Sequence, residues 1–271
     1  MLLHIEHKTH YRFESPVPYA LQRLRLTPKQ NSSQHILNWN CRIDGGKVEL
    51  EYDDHNFNRI QLVTVDAGAT DITIECSGDV ETEDTSGVIG QHSGFAPLWY
   101  FKRDTALTKA GPGVAKMLKS LAAPADDALA QLHSLSASIR DTVTYRTGHT
   151  TTDHTAEQAI SDGIGVCQDH AHIFVSAARK LGYPARYVSG YLMLLDTIDQ
   201  DATHAWAEAF ITGLGWVGFD ISNGISPDER YVKLATGLDY REAAPVEGRT
   251  FGTRDESLAV SLMVEQQSQT Q

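Results

Sequence analysis

From residue 1 to about 82 the chain alternates apolar and polar positions. HIEHKTHYRF, LQRLRLTP, ILNWNCRI, KVELEY, RIQLVTV and DITIEC carry apolar side chains at every second position. That is the period of a strand with one buried face. Turn formers (ESPVP, DGG, DDHNFN, DAGA) separate the segments. Short strands with regular turns predict an antiparallel β-sandwich, with a domain spanning 1–95. Cys41 shares parity with Trp39 and Ile43, and Cys76 with Ile72 and Ile74. Both are expected to be small apolar residues on buried strand faces. Residues 83–105 show little periodicity and are read as an interdomain connection.

Beyond residue 105 the period changes. Val114, Met117, Leu118 and Leu121 have helical spacing, and Leu129, Leu132, Leu135 and Ile139 give a second helix its apolar side, with Asp126 as the expected N-cap. Thr155 and Gln158 have capping-box spacing and open a short helix that ends near Gly163. A buried helix is expected from near Val166, with Ala171, Phe174, Val175, Ala178 and Leu181 as its stripe and Gly182 and Pro184 as its stop. Strands follow: ARYVSGYLMLL, HAWAEAFI and GWVGFDIS, then SLAVSLMV near the end. Helices followed by antiparallel strands make the 96–271 domain, and the chain as a whole, α+β.

Composition narrows the function classes. A net charge of −12 with no basic cluster argues against nucleic-acid or anionic-membrane partners. No apolar run approaches the roughly 18 residues that span a bilayer. Three widely spaced cysteines, with no signal-peptide pattern at the start, predict a cytoplasmic, reducing location and no disulfide framework.

The candidate chemistry centres on GIGVCQDHAHIF. Cys167 falls in the first turn of the buried helix. There the helix dipole favours a thiolate, and free N–H groups can hold an oxyanion. A nucleophilic cysteine needs a base, and the base an orienting group. His204 opens one strand and Asp220 ends the next. A four-residue connection would put them on opposite faces. A five-residue connection or a bulge, pairing Phe210 with Trp216, puts both on one face. The second register is expected.

GVCQDHAHIFVSAARKLGYPARYVSGY, HAWAEAFITGLGWVGFDISNG and VKLATGLDYREAAPVEG resemble the bacterial transglutaminase-like family, and HKTHYRFESPVPYALQRLRLTP looks like its N-terminal β-domain. The resemblance implies a papain-like transglutaminase core and a Cys-His-Asp triad: Cys167 as nucleophile, His204 as base, Asp220 as orienting group. It implies acyl transfer on a peptide or protein substrate through a thioester, with no metal or organic cofactor. Hydrolysis, by a peptidase or amidase, is favoured over transfer to an amine because water is always available. A non-catalytic peptide-binding protein on the same fold is the rival of a different class. Two departures stand out: Leu238 replaces a usual arginine, and DDHNFN is an irregular form of the family's turn, expected to affect only a hairpin.

Other candidates are weaker. A zinc site from Cys167, His170 and His172 is disfavoured, because on a helix i and i+3 converge but i+5 does not. His170 and His172 are read as packing or hydrogen-bonding residues, and His149 and His154 as exposed loop residues. Trp206 and Tyr145 are read first as core or wall aromatics, with Tyr145 also the candidate for a second oxyanion donor. Asp169 suits the helix dipole, yet its charge opposes thiol activation.

Overall fold

The computed structural model describes residues 1–121, 127–200, 202–251 and 256–267. The alternating segments are strands: β1 (Leu2–Phe13), β2 (Tyr19–Leu24), β3 (Gln34–Asp44), β4 (Gly46–Asp53), β5 (Arg59–Val65) and β6 (Asp71–Thr82). β1 buries Leu3, Ile5, His7, Thr9, Tyr11 and Phe13, the parity read from the sequence. The remaining elements are β7 (Val88–Gly90), α1 (Pro112–Lys119), α2 (Ala128–Thr142), β8 (Thr144–Tyr145), α3 (Ala156–Asp162), β9 (Ile164–Gly165), α4 (Cys167–Lys180), β10 (Ala185–Leu192), β11 (Asp199–Gln200), β12 (His204–Ile211), β13 (Gly215–Phe219), β14 (Tyr231–Gly237), α5 (Tyr240–Ala243), β15 (Val246–Phe251) and β16 (Glu256–Gln266).

Two sheets, β11-β16-β1-β6-β3 and β15-β2-β5-β4, form the sandwich around Leu3, Ile5, Val63, Ile72, Ile74 and Val264. The core sheet runs β14-β10-β12-β13-β7. The expected boundary between residues 95 and 96 therefore does not sort the strands. β7 joins the core sheet, while β15 and β16 return to the sandwich, β16 pairing along β1 from Leu3↔Gln266 to Phe13↔Glu256. Pairing partners are chosen by edges in space, which sequence order does not encode. The connection also carries more structure than expected: β7 and a 3₁₀ turn at Leu98–Lys102.

One face of the core sheet presents Ala205, Ala207, Ala209, Val217 and Phe219 to the helices. α4 packs there through Ala171, Ala177 and Ala178, small residues that let helix and sheet approach closely. Asp169 to Arg179 are all buried, and Phe174 alone contributes about 2 kcal/mol of burial. Tyr191, Met193, Val232 and Leu234 instead join the sandwich core, so the sandwich rests on the sheet's other side. α3 has the expected capping box and ends at Gly163 with φ 64°. The cap expected at Asp126 lies outside the described residues; Asp127 accepts from the Ala130 N–H in that role.

The cysteines require a correction. Cys41 and Cys76 sit directly opposite each other on β3 and β6 and form a disulfide across 35 residues of sequence. Their side chains share one face, so they meet each other instead of packing as inert thiols. The cysteine argument for a reducing compartment falls with them. No helix among the described residues is long and apolar enough to cross a membrane.

Candidate active site

Cys167 is the first residue of α4 and is half-buried. Its N-cap is Val166, which offers no side-chain acceptor. The first-turn N–H groups are thus left without the usual Ser, Thr or Asp oxygen, and an oxyanion can take that place. Asp169 performs the complementary task. Its carboxylate is almost fully buried and accepts from the Val166 N–H (2.8 Å), the Thr150 hydroxyl (2.8 Å) and His154 Nδ1 (2.9 Å). The negative charge that opposed activation on paper is thereby engaged by three donors. His154 is not the exposed loop residue expected: it bridges Asp169 and Asp162 and pins its loop to α4. His149 is exposed.

The β12–β13 hairpin has the register that unites the other two residues. Phe210 pairs with Trp216, and an added pair, Ile211↔Gly215, shortens the connection to residues 212–214. Asp220, one residue past β13, then meets His204 with Nε2 2.6 Å from Oδ2. The same carboxylate oxygen accepts from the Tyr231 hydroxyl (2.7 Å) and Asn223 Nδ2 (2.7 Å), and Oδ1 accepts from the Asn223 N–H (3.1 Å). Because Asp220 holds Nε2, Nδ1 is the nitrogen left for Cys167, whose side chain is close enough to raise the ring's pKa. Burial works to lower the His204 pKa. The hydrogen bond to Asp220, the nearby Cys167 side chain and their negative charges outweigh it and push the value up to about 10. Burial likewise works to raise Asp220, but bonds from His204, Tyr231 and Asn223 and the His204 charge hold it below the usual carboxylate value.

Trp206 lies beside the His204 ring at 6.3 Å and Tyr231 at 6.0 Å, which restricts the imidazole. β10 comes close here. Gly190 pairs with His204, and any side chain at 190 would meet the Trp206 ring at 2.6 Å. Tyr145 reaches Cys167 from the other side. β8 and β9 run parallel with Tyr145 opposite Gly165, so the phenol is delivered to the start of α4, close enough to Cys167 for the two to influence each other electrostatically. Burial first, then the Cys167 and Asp220 charges, push the tyrosine up to about 12. The phenol therefore keeps its proton and donates.

His170 and His172 belong to the scaffold. His170 joins Ser222 Oγ (2.9 Å) and the Val143 carbonyl (3.0 Å), and His172 Nε2 accepts from the Tyr240 N–H (3.1 Å). Burial lowers both, His172 to about 4, so they are neutral near pH 7. Among the described residues no group of three or more His, Cys, Asp or Glu is placed to hold a metal ion. Leu238, in place of the usual arginine, is buried with Ala96, Phe101 and Trp216. The irregular turn is more than a hairpin end: Asn58 exchanges bonds with Thr236 of β14 (2.8 and 2.9 Å), tying sandwich to core. Asn223, Tyr231, Thr150 and His154 were not legible as site residues. Asn223, three residues past Asp220, was the one with a local signal, an Asx-type turn.

Residues 115–221 match the transglutaminase-like superfamily, and residues 3–81 match the bacterial transglutaminase-like N-terminal region. An uncharacterized protein of Mycobacterium leprae is 28% identical over 259 residues, 91% of this chain and 92% of that one. One from Mycobacterium bovis is 26% identical over 288 residues, 96% and 91% of the two chains. The crystal structure of a candidate cysteine protease from Cytophaga hutchinsonii superposes with a TM-score of 0.79 at 22% identity, covering 100% of this chain and 92% of that one. That likeness establishes the fold.

Proposed function

Because the chain belongs to the bacterial transglutaminase-like family, we propose that it is a cysteine-dependent enzyme that opens peptide or amide bonds through a thioester. The reading is carried by one observation: His204 is hydrogen-bonded to Asp220 at 2.6 Å and sits close enough to Cys167, at the start of α4, for that side chain to raise its pKa. The thiol proton passes to His204, and the imidazolium and the helix N-terminus stabilise the thiolate that results. The Cys167 sulfur attacks the amide carbonyl. The resulting oxyanion is held by the Cys167 backbone N–H and the Tyr145 hydroxyl. His204 then protonates the leaving amine, and the C–N bond breaks to give the thioester. Asp220 keeps the ring oriented through the cycle.

Water deacylates the enzyme, with His204 taking its proton, so the overall reaction is hydrolysis. Incubation with a peptide library and a primary-amine probe, read by mass spectrometry, tests this. Cleaved peptides support hydrolysis, amine-tagged peptides replace it with transglutamination, and untouched peptides leave only a binding role. Iodoacetamide at pH 6 tests the nucleophile. Cys167 is expected to react about tenfold or more faster than a model thiol. That advantage is absent in His204→Ala, and the label is absent in Cys167→Ala. The Cys41–Cys76 disulfide supports an oxidising compartment over the cytoplasm.

A further inference from the structure

A cleft of about 900 Å³ opens between the sandwich loops and the outer face of the core sheet. Its walls include Lys29, Arg186 and Lys233. Beneath them lies one fully buried carboxylate, Glu208, which bonds Arg186 Nε (2.6 Å) and contacts Lys233 Nζ. Asp53, also on the wall, is paired with Arg59 (3.2 Å). Among the described residues Lys29 hydrogen-bonds neutral oxygens, the Asn56 carbonyl (2.5 Å), Asn58 Oδ1 (3.0 Å) and Thr236 Oγ1 (3.3 Å), while the Asp54 and Glu208 charges act on it from nearby. Three cationic side chains thus face two carboxylates, Glu208 and Asp54, an excess of 3 − 2 = 1 positive charge when Lys29 is protonated. Burial, and then the Arg186 and Lys233 charges, lower Lys29 to about 7. A structural ion pair does not require that surplus; an incoming anion would relieve it.

Other features suit a peptide. Among the described residues no hydrogen bond uses the two terminal nitrogens of Arg186, whose guanidinium is held 4.0 Å from the Trp216 ring centre. Asn56 Oδ1 is buried on the wall without a donor, which a peptide N–H can supply. At the mouth, exposed Phe57 contacts exposed Phe95. A second, smaller pocket shares Asn31, Ile89 and Lys233 with the cleft and is lined by Trp206 and Tyr231, whose rings flank His204. His204 and Glu208 lie on one face of β12, four residues and so roughly 13 Å apart.

We propose that this cleft anchors a substrate carboxylate, from an acidic side chain or a free C terminus, on Lys29, Arg186 and Lys233 about four extended residues from the scissile bond. The proposal rests on the acyl-transfer reading above and gives it a substrate class, peptides with a carboxylate at that distance.

The full-length Cys167→Ala chain allows binding to be read without turnover. The probes are fluorescein-labelled Ala/Gly octapeptides carrying one Glu or one Gln, each with a free or an amidated C terminus, followed by anisotropy. At least one carboxylate form is expected to bind about tenfold or more tightly than its neutral match, with the advantage shrinking as salt rises. The Glu/Gln and acid/amide arms tell the two sources apart. Lys29→Gln is expected to remove most of the preference and Lys29→Arg to keep it. Phe57→Glu, a change at an exposed position, is expected to repel the same peptides. Equal binding of charged and neutral peptides overturns the proposal, as does a preference untouched in folded Lys29→Gln and in Phe57→Glu. Wild-type turnover is scored separately. Carboxylate-selective binding without turnover of any peptide defeats the acyl-transfer reading alone. Turnover indifferent to charge defeats the cleft proposal alone.

Discussion

Asp220 Oδ2 accepts from His204, Tyr231 and Asn223 at once, and this crowding fixes how the pair responds to pH. The His204 pKa is raised to about 10, so its contribution to stability is full below its ordinary 6.5 and is lost as pH rises through 10. Asp220 is depressed, so its contribution is full above 3.8 and is lost as pH falls through the lower value. His204→Asn is therefore expected to cost about 3 kcal/mol at pH 6, because it leaves a buried carboxylate uncompensated. The cost should shrink toward pH 10.5 in matched denaturant titrations. Asp169 gives a second test. Asp169→Ala strips the acceptor from three donors and is expected to cost about 2 kcal/mol or more. It should also slow iodoacetamide at Cys167, since the start of α4 loses its anchor, and peptide mapping of the label reads this directly.

Among the elements, the β12–β13 hairpin decides whether there is a site at all. Every residue of β13 is buried, so its register is held by packing more than by the turn. One glycine inserted after Gly213, in the connection, is expected to change stability by less than about 1 kcal/mol and to spare the fast alkylation. The same insertion after Gly218, within the strand, turns Asp220 to the opposite face. The fast alkylation should then be lost even where circular dichroism still reports sheet. α4 shows the other side of element design. Its alanines permit close packing on β12, while its apolar N-cap leaves the first-turn donors available to chemistry.

At the scale of the whole molecule, the two ends of the chain close the sandwich together. β16 pairs along nearly all of β1, and β15 covers β2. Residues 1–95 alone would expose both strand edges, and deletion of 246–271 would do the same to the rest. Both truncations are expected to aggregate or to lack cooperative unfolding, which calorimetry and size-exclusion chromatography can read. The disulfide adds a covalent tie across 35 residues. In the chain-entropy description it is worth about 4 kcal/mol. Reductant should lower the melting temperature, and thiol titration of denatured protein should rise from one to three.

Local periodicity determined the strands of β1 to β6, the α3 cap and the start and stop of α4, because each depends on neighbours within a few residues. Spacing and residue type also singled out Cys167, His204 and Asp220, since a helix start and a hairpin are local objects. The register argument narrowed their meeting to one pairing, and packing of β13 selected it. Tertiary structure alone decided the rest. Cys41 and Cys76 each showed buried parity, but their bond required β3 to lie beside β6. Lys29, Arg186, Lys233 and Glu208 are scattered over some two hundred positions of sequence and share a cleft only because the sandwich is laid on the core sheet. Contacts between distant segments follow from which faces and edges are buried together, and no short window of sequence contains that information.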